Sequence, residues 1–394
     1  MSALNAAAAL EPDRPGDGDP AAAGAADGTG RAASAAAEAG RRPGRVPAQL
    51  LLPTLAAALL LVALLAVGLG AYEIPPGAVL RILAQALGLD LGPVDAQQAA
   101  VLQAIRLPRV GLAMLTGAGL ATAGVLMQGL FRNPLADPTL IGSAAGAALA
   151  AAAVIVLLGP TAGGGALAAL ATLGPAALPL AAFLGSAVAT GLVVLIGRGS
   201  GPSGFSLAGV LLAGIAVNAL GMAGVGLMAY LASDEQLRTL TFWNLGALSG
   251  ASGPVLAAVG PAVGLALLGA WALVPALNAL ALGEARAGHL GIAVGRAKAG
   301  AVLAAALATG SVVAFTGVIG FIGLVAPHLV RLIAGPDHRV LLPGAILMGA
   351  LLVLGADLVA RTLVAPAELP IGLVTALIGG PFFIALLRHR RGPL

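Results

Sequence analysis

Residues 110–131 and 138–197 form two apolar stretches, 22 and 60 residues long, that contain no Asp, Glu, Lys or Arg. A single short polar turn, Arg132-Asn133-Pro134-Leu135-Ala136-Asp137, separates them. About 20 apolar residues in a helix cross the ~30 Å hydrocarbon core of a bilayer. Within that core every backbone N–H and C=O needs a partner in the protein, which leaves helices or closed barrels. These runs lack the alternation over about ten residues that marks barrel strands. Similar runs recur from residue 46 to residue 387, and only 9% of the chain is charged, against roughly 25% in soluble domains. The fold predicted is an all-α polytopic membrane protein.

The apolar pattern places spans at 49–71, 108–130, 140–158, 176–197, 205–231, 253–275, 297–315, 317–333, 340–361 and 371–388. The stretch 297–333 is about 55 Å long as one helix, too long for a single crossing, so it is divided near Thr316-Gly317. Arg41, Arg42 and Arg45 precede the first span, and Arg388, Arg390 and Arg391 follow the last. Cytoplasmic sides of membrane proteins collect Lys and Arg, so both ends are read as cytoplasmic, which requires an even number of spans. With ten spans, 15 basic residues fall inside and 5 outside, the five being Arg81, Arg106, Arg109, Arg238 and Arg361.

Residues 1–48 are rich in Ala, Gly, Pro, Asp and Arg and are expected to be a disordered cytoplasmic tail. The run after them is long enough to stay in the membrane and is not read as a cleaved signal. Residues 49–388 form the membrane domain, with the connection 278–298 as its longest cytoplasmic loop, and 389–394 are a basic cytoplasmic tail. The chain has no cysteine, which excludes disulfides and thiolate chemistry. A pI near 10.6 comes without any basic block interleaved with aromatics, so nucleic acid is not an expected partner.

The turn at 132–138 is constrained: each proline disfavours helix at the residue before it, and Arg132 and Asp137 are positioned to pair. With its flanks it reads Leu107-Pro108-Arg109, then Gln128-Gly129-Leu130-Phe131-Arg132-Asn133-Pro134-Leu135-Ala136-Asp137-Pro138, then Gly142-Ser143-Ala144-Ala145-Gly146. In content and spacing this resembles the FecCD-type permease subunits of bacterial ATP-binding-cassette importers for haem, iron–siderophore complexes and cobalamin. The resemblance continues at Leu211 to Asn218, at Phe242 to Gly250, at Phe315 to His328, and from Leu369 to Phe383.

That resemblance implies ten transmembrane helices in a type II importer architecture. It also implies a homodimer in the bacterial inner membrane, served by two ATPase subunits and a periplasmic binding protein. Glu284, Arg286 and Gly291 match the family's loop that couples to the ATPase. Arg106, Arg109 and Arg361 match outward arginines that dock the binding protein, and Arg132, Asn133 and Asp137 match the cytoplasmic turn. Asn218, Met222, Met228 and Tyr230 lie along the fifth span and are expected to face the substrate pathway. The wording around Gln128–Asn133 and Leu240–Trp243 is nearer to haem permeases, with ferric siderophore second and cobalamin third. No Gly-x-x-x-x-Gly-Lys-Ser/Thr phosphate loop is present, so ATP and Mg are assigned to the partner and no cofactor to this chain.

Other classes fare worse. A proton- or sodium-driven transporter places acids deep in its spans, and only Asp357 approaches that, four residues before Arg361. An intramembrane enzyme needs paired aspartates, a Ser/His pair or His–Glu zinc spacing, and the spans contain none of these.

Overall fold

The computed structural model describes residues 46–70, 72–158, 173–197 and 206–389. These belong to one compact unit, Val46–Leu394. Residues 1–45 of the expected 1–48 tail, and 390–394 of the expected 389–394 tail, lie outside the described residues. The helices are α1 (Ala48–Gly68), α2 (Pro76–Ala86), α3 (Ala96–Leu130, wound as a π-helix over Val101–Arg106), α4 (Ser143–Leu157), α5 (Ala177–Ile196), α6 (Leu207–Leu231) and α7 (Asp234–Asn244). They continue as α8 (Gly253–Ala281), α9 (Glu284–His289), α10 (Val294–Thr316), α11 (Ile322–Ala334), α12 (His338–Thr362) and α13 (Ile371–His389). Seven of these are long and apolar enough to cross a membrane, and three shorter apolar helices, α4, α11 and α13, complete the predicted ten.

Helix α3 is the axis of the bundle. It packs against α12, α10, α8 and α11. The residues along it are small where the neighbours come closest. A Cβ at Gly117 would sit 2.1 Å from the carbonyl oxygen of Gly349 in α12, so the two backbones touch there. Between lipid-solvated helices such small-residue contacts supply the packing that hydrophobicity cannot. The buried core has an inner half around Leu126, Met127, Leu277 and Leu341, and an outer half around Leu102, Leu112, Val263 and Val353. Helices α4, α5 and α6 form a flanking group joined to the centre through α5 and α10, and α13 rests on α12 and α11.

The division of 297–333 occurs where expected, but the second piece is shorter than a span. The backbone leaves the helix at Gly317 (φ 69°), re-enters after Phe321 (φ 69°), and α11 has 13 residues. At 1.5 Å per residue that is about 20 Å, so α11 begins inside the membrane. Non-helical backbone at that depth is tolerated only where protein satisfies it. Here Ala247 N–H donates to the Thr316 carbonyl at 2.8 Å, and Ile371 and Gly372 N–H donate to Gly246 and Leu245 at 3.1 and 2.9 Å. The segment after α7 is thereby threaded between the break and the start of α13. Helix α7 itself opens on a Ser233–Gln236 capping box, and the Gln236 amide also reaches Val156 O on α4 at 3.1 Å.

The cytoplasmic connection is also shorter than predicted. Helix α8 runs on to Ala281 and α10 begins at Val294, so Asn278 and Lys298 are helical and the loop proper is 282–293.

Candidate functional site

Two charged groups, one at each end of the bundle, and one open helix face hold the residues singled out from sequence. At the inner end, Gly283 takes φ 105° and ψ 152°, a region open essentially to glycine alone, and the chain turns there into α9. Ala287 is fully buried against Ala279 and Leu280, which fixes α9 on the end of α8. The helix stops at Gly291 (φ 81°), with Gly291 N–H donating to Gly288 O and Ile292 N–H to Ala287 O at 2.9 and 3.1 Å. This is a Schellman closure, in which glycine takes the left-handed position and the next apolar residue packs back on the helix. Leu282, Arg286 and Leu290 point out of this corner, and a cleft of about 580 Å³ opens beside Glu284, Ile292 and Arg296. The Glu284 carboxylate accepts from Lys298 Nζ of α10 at 2.7 Å.

The turn at 132–138 does not close through an Arg132–Asp137 ion pair. Asp137 instead accepts from Thr139 N–H at 2.8 Å and caps the 3-10 turn Pro138–Ile141, while Asn133 accepts from Leu135 N–H at 3.0 Å. Arg132, at φ 49°, extends toward Gly283, where its Nη1 lies 3.9 Å from the position a Cβ would take. A second inner tie joins α8 to α12: the Asn278 amide donates to Asp337 at 2.8 Å and its oxygen accepts from His338 N–H at 3.0 Å. The Arg339 amide donates to Asp337, and with Asn278 it holds that carboxyl below the usual carboxylate range.

At the outer end, Arg106 and Arg361 converge on the end of α1, and Arg109 joins them through Asp357. Arg106 donates to the carbonyls of Val67 and Gly68 at 2.5 and 2.6 Å and also to Tyr72. Arg361 donates to Leu69 at 2.7 Å and to Ala66. These are the orphan carbonyls of a helix C-terminus, where cations are favoured. Arg109 bonds Asp357 at 2.9 Å and Glu368 at 2.8 Å, and Asp357 lies 3.4 Å from Arg361, the i,i+4 pair read from sequence. With Arg106 at 5% and Arg361 at 8% exposure, neither is presented for direct contact with a partner. Carbonyls of α1 claim the Arg106 and Arg361 guanidiniums, and two carboxylates claim that of Arg109. Glu368 is the exposed member of the group.

The fifth-span residues divide. On α6 the stripe Val210, Ala213, Gly214, Gly221 and Val225 packs inward, and Met222 (56%) and Tyr230 (86%) lie on the open face. Asn218 is half-buried, and its amide donates to Thr139 O at 3.0 Å, which ties α6 to the inner turn. Met228 is half-buried against Ala148, Ala152 and Leu240. His328 is buried with its ring edge-on to Phe382, a packing position. Among the described residues no group of three or more His, Cys, Asp or Glu is placed to hold a metal.

Sequence reasoning counted Lys298 only as an inner positive charge and missed its pairing with Glu284. One signal was available: it is the single lysine of a chain with nineteen arginines.

A family model described as the FecCD transport family matches residues 58–389. The hemin transport system permease protein HmuU of Yersinia pestis is 44% identical over 301 residues, covering 73% of this chain and 83% of that protein. The cobalamin import system permease protein BtuC of Halobacterium salinarum is 38% identical over 312 residues, 78% of each chain. The Fe(3+) dicitrate transport system permease protein FecD of Escherichia coli is 39% identical over 293 residues, 74% of this chain and 86% of that one. A solved structure described as an inward-facing ABC transporter superposes with a TM-score of 0.73 at 30% identity, covering 86% of this chain and 98% of the other.

Proposed function

The chain belongs to the FecCD transport family as an ABC importer permease, and on that premise we propose that its cargo is haem. The observation that carries the cargo is the step from 38–39% identity with the cobalamin and ferric dicitrate permeases to 44% with the hemin permease. Ferric siderophore is the second reading and cobalamin the third.

In this reading two copies stand in the bacterial inner membrane, with a pathway between them bounded by the open face of α6, including Met222 and Tyr230. Two ATPase subunits seat against α9, where Leu282, Arg286 and Leu290 are exposed. ATP and its Mg²⁺ are held by those subunits. A periplasmic binding protein delivers cargo to the outer end, where Glu368 and the loops after α7 and α12 form the rim. Binding of the loaded protein and of ATP each favours one of two arrangements of the same helices, and cargo passes as they exchange.

The test is uptake into proteoliposomes containing this chain, its ATPase and its binding protein. Haem, a ferric siderophore and cobalamin are compared with and without ATP. ATP-dependent accumulation of haem alone is expected. Uptake of either other cargo replaces the haem assignment.

A further inference from the structure

We propose that Lys298 is a positioning residue that pins the joint at Gly283–Glu284, so that movement of α9 is handed to α10 and α3. The inference rests on the importer reading above. Three observations carry it. Lys298 is 2% exposed, yet its ammonium is 2.7 Å from Glu284 in the first turn of α9. On the other side of the joint, Arg132, just past the end of α3, reaches toward Gly283, its Nη1 3.9 Å from where a Cβ there would sit. The two helices that hold the joint, α3 and α10, pack on each other through the inner core.

The choice of residue suits a buried point contact with Glu284. A lysine ends in a compact point charge on an unbranched stem, whereas an arginine carries a planar fork suited to two-point contacts. A chain that uses arginine everywhere else places its only lysine here. Burying a charge is costly unless it is paired, so Lys298 holds Glu284 wherever α10 goes. Ala287 also fastens α9, packing with Ala279 and Leu280 of α8 and with Ile292 and Val294 at the start of α10. A force on Arg286 or Leu290 then reaches the membrane through two kinds of contact. One is this apolar packing, and the other is the ion pair to α10. The second leads to the helix that ends at the outer break at Thr316.

The test compares Lys298→Met, Glu284→Gln and the double variant in the reconstituted complex. The readouts are cargo moved per ATP hydrolysed and the thermal stability of the purified complex. Each single variant is expected to lower transport per ATP by at least about fivefold, the lower end of ordinary coupling strengths. The double variant is expected to do no worse than either, because both act through one contact. Stability separates this from a structural role. Lys298→Met alone leaves a partly buried carboxylate, and adding Glu284→Gln removes it, so the double variant regains melting temperature while transport per ATP stays low.

An unchanged ratio in Lys298→Met overturns the proposal. So does a ratio that recovers together with stability in the double variant. If the unaltered complex shows no ATP-dependent uptake, the importer reading fails instead, and the two failures are told apart by that control.

Discussion

Asp357 and Arg361 sit four residues apart on one helix; Asp357 also bonds Arg109, 248 residues away on α3, and Arg361 bonds Leu69 and Ala66, 292 and 295 residues away at the end of α1. Leaving a buried acceptor unsatisfied costs about 1–3 kcal/mol, and without Arg361 the Asp357 carboxylate keeps Arg109 alone. Arg361→Ala is therefore expected to lower the melting temperature of the detergent-solubilised protein markedly, by also freeing the Leu69 and Ala66 carbonyls. Glu368→Gln, which alters an exposed partner of Arg109, is expected to shift it little. Equal melting temperatures for Arg361→Ala and the parent chain would show that the carbonyls of α1 find other donors. At this scale the sequence exposed sidedness but not contact. The five outer arginines were visible as exceptions to the charge bias, and the Asp357–Arg361 spacing predicted their pairing. The burial of Arg106 and Arg361 was not legible, because the carbonyls that claim them belong to the backbone and leave no trace in side-chain pattern. Lys298 was hidden for a related reason: fourteen residues and a turn separate it from Glu284, which no helical period links.

Helices were the most legible level, since charge-free runs of membrane length leave few alternatives, and all ten predicted positions carry a helix. The discrepancies fall where local pattern stops deciding. Helix α2 is 11 residues long and carries Arg81 and Gln85, so it is too short and too polar to give a span signal. The non-helical stretch 317–321 is dictated by what threads past it, residues 245–247, and not by its own composition. Close helix approach gives a direct test. Gly117 faces the backbone of α12 at a distance that excludes any side chain, whereas a Cβ at Gly226 meets nothing within 4 Å. Gly117→Leu is expected to prevent recovery of folded protein, and Gly226→Ala is expected to leave yield and melting temperature within the range of ordinary surface changes, about 0.5 kcal/mol. If both variants fold equally well, α3 and α12 are less tightly joined than their geometry requires.

For the whole molecule, the open face of α6 separates two environments that one protomer alone presents alike. Met222 on α6 and Leu268 on α8 are both exposed apolar side chains. In the proposed homodimer the first borders a watery passage and the second borders lipid. Because the chain has no cysteine, Met222→Cys and Leu268→Cys can be labelled without background. A membrane-impermeant thiol reagent is expected to modify the first in the assembled transporter and not the second, and to do so more slowly when cargo-loaded binding protein is present. Equal labelling of both positions would move the passage away from α6. The passage was the least legible part of the sequence, because lipid and a partner subunit call for the same apolar residues on a helix surface. The arginine cluster at the outer end has a further consequence, for biosynthesis. Its donors and acceptors come from α1, α3, α12 and the segment before α13, so the Val67 and Gly68 carbonyls are met early by Arg106, while those of Ala66 and Leu69 wait for Arg361 until almost all of the chain has been inserted. A nascent chain stalled before α12 leaves the Arg109 guanidinium unpaired and those two carbonyls bare at the membrane boundary. The cluster is therefore complete only once α12 and the segment before α13 have joined α1 and α3.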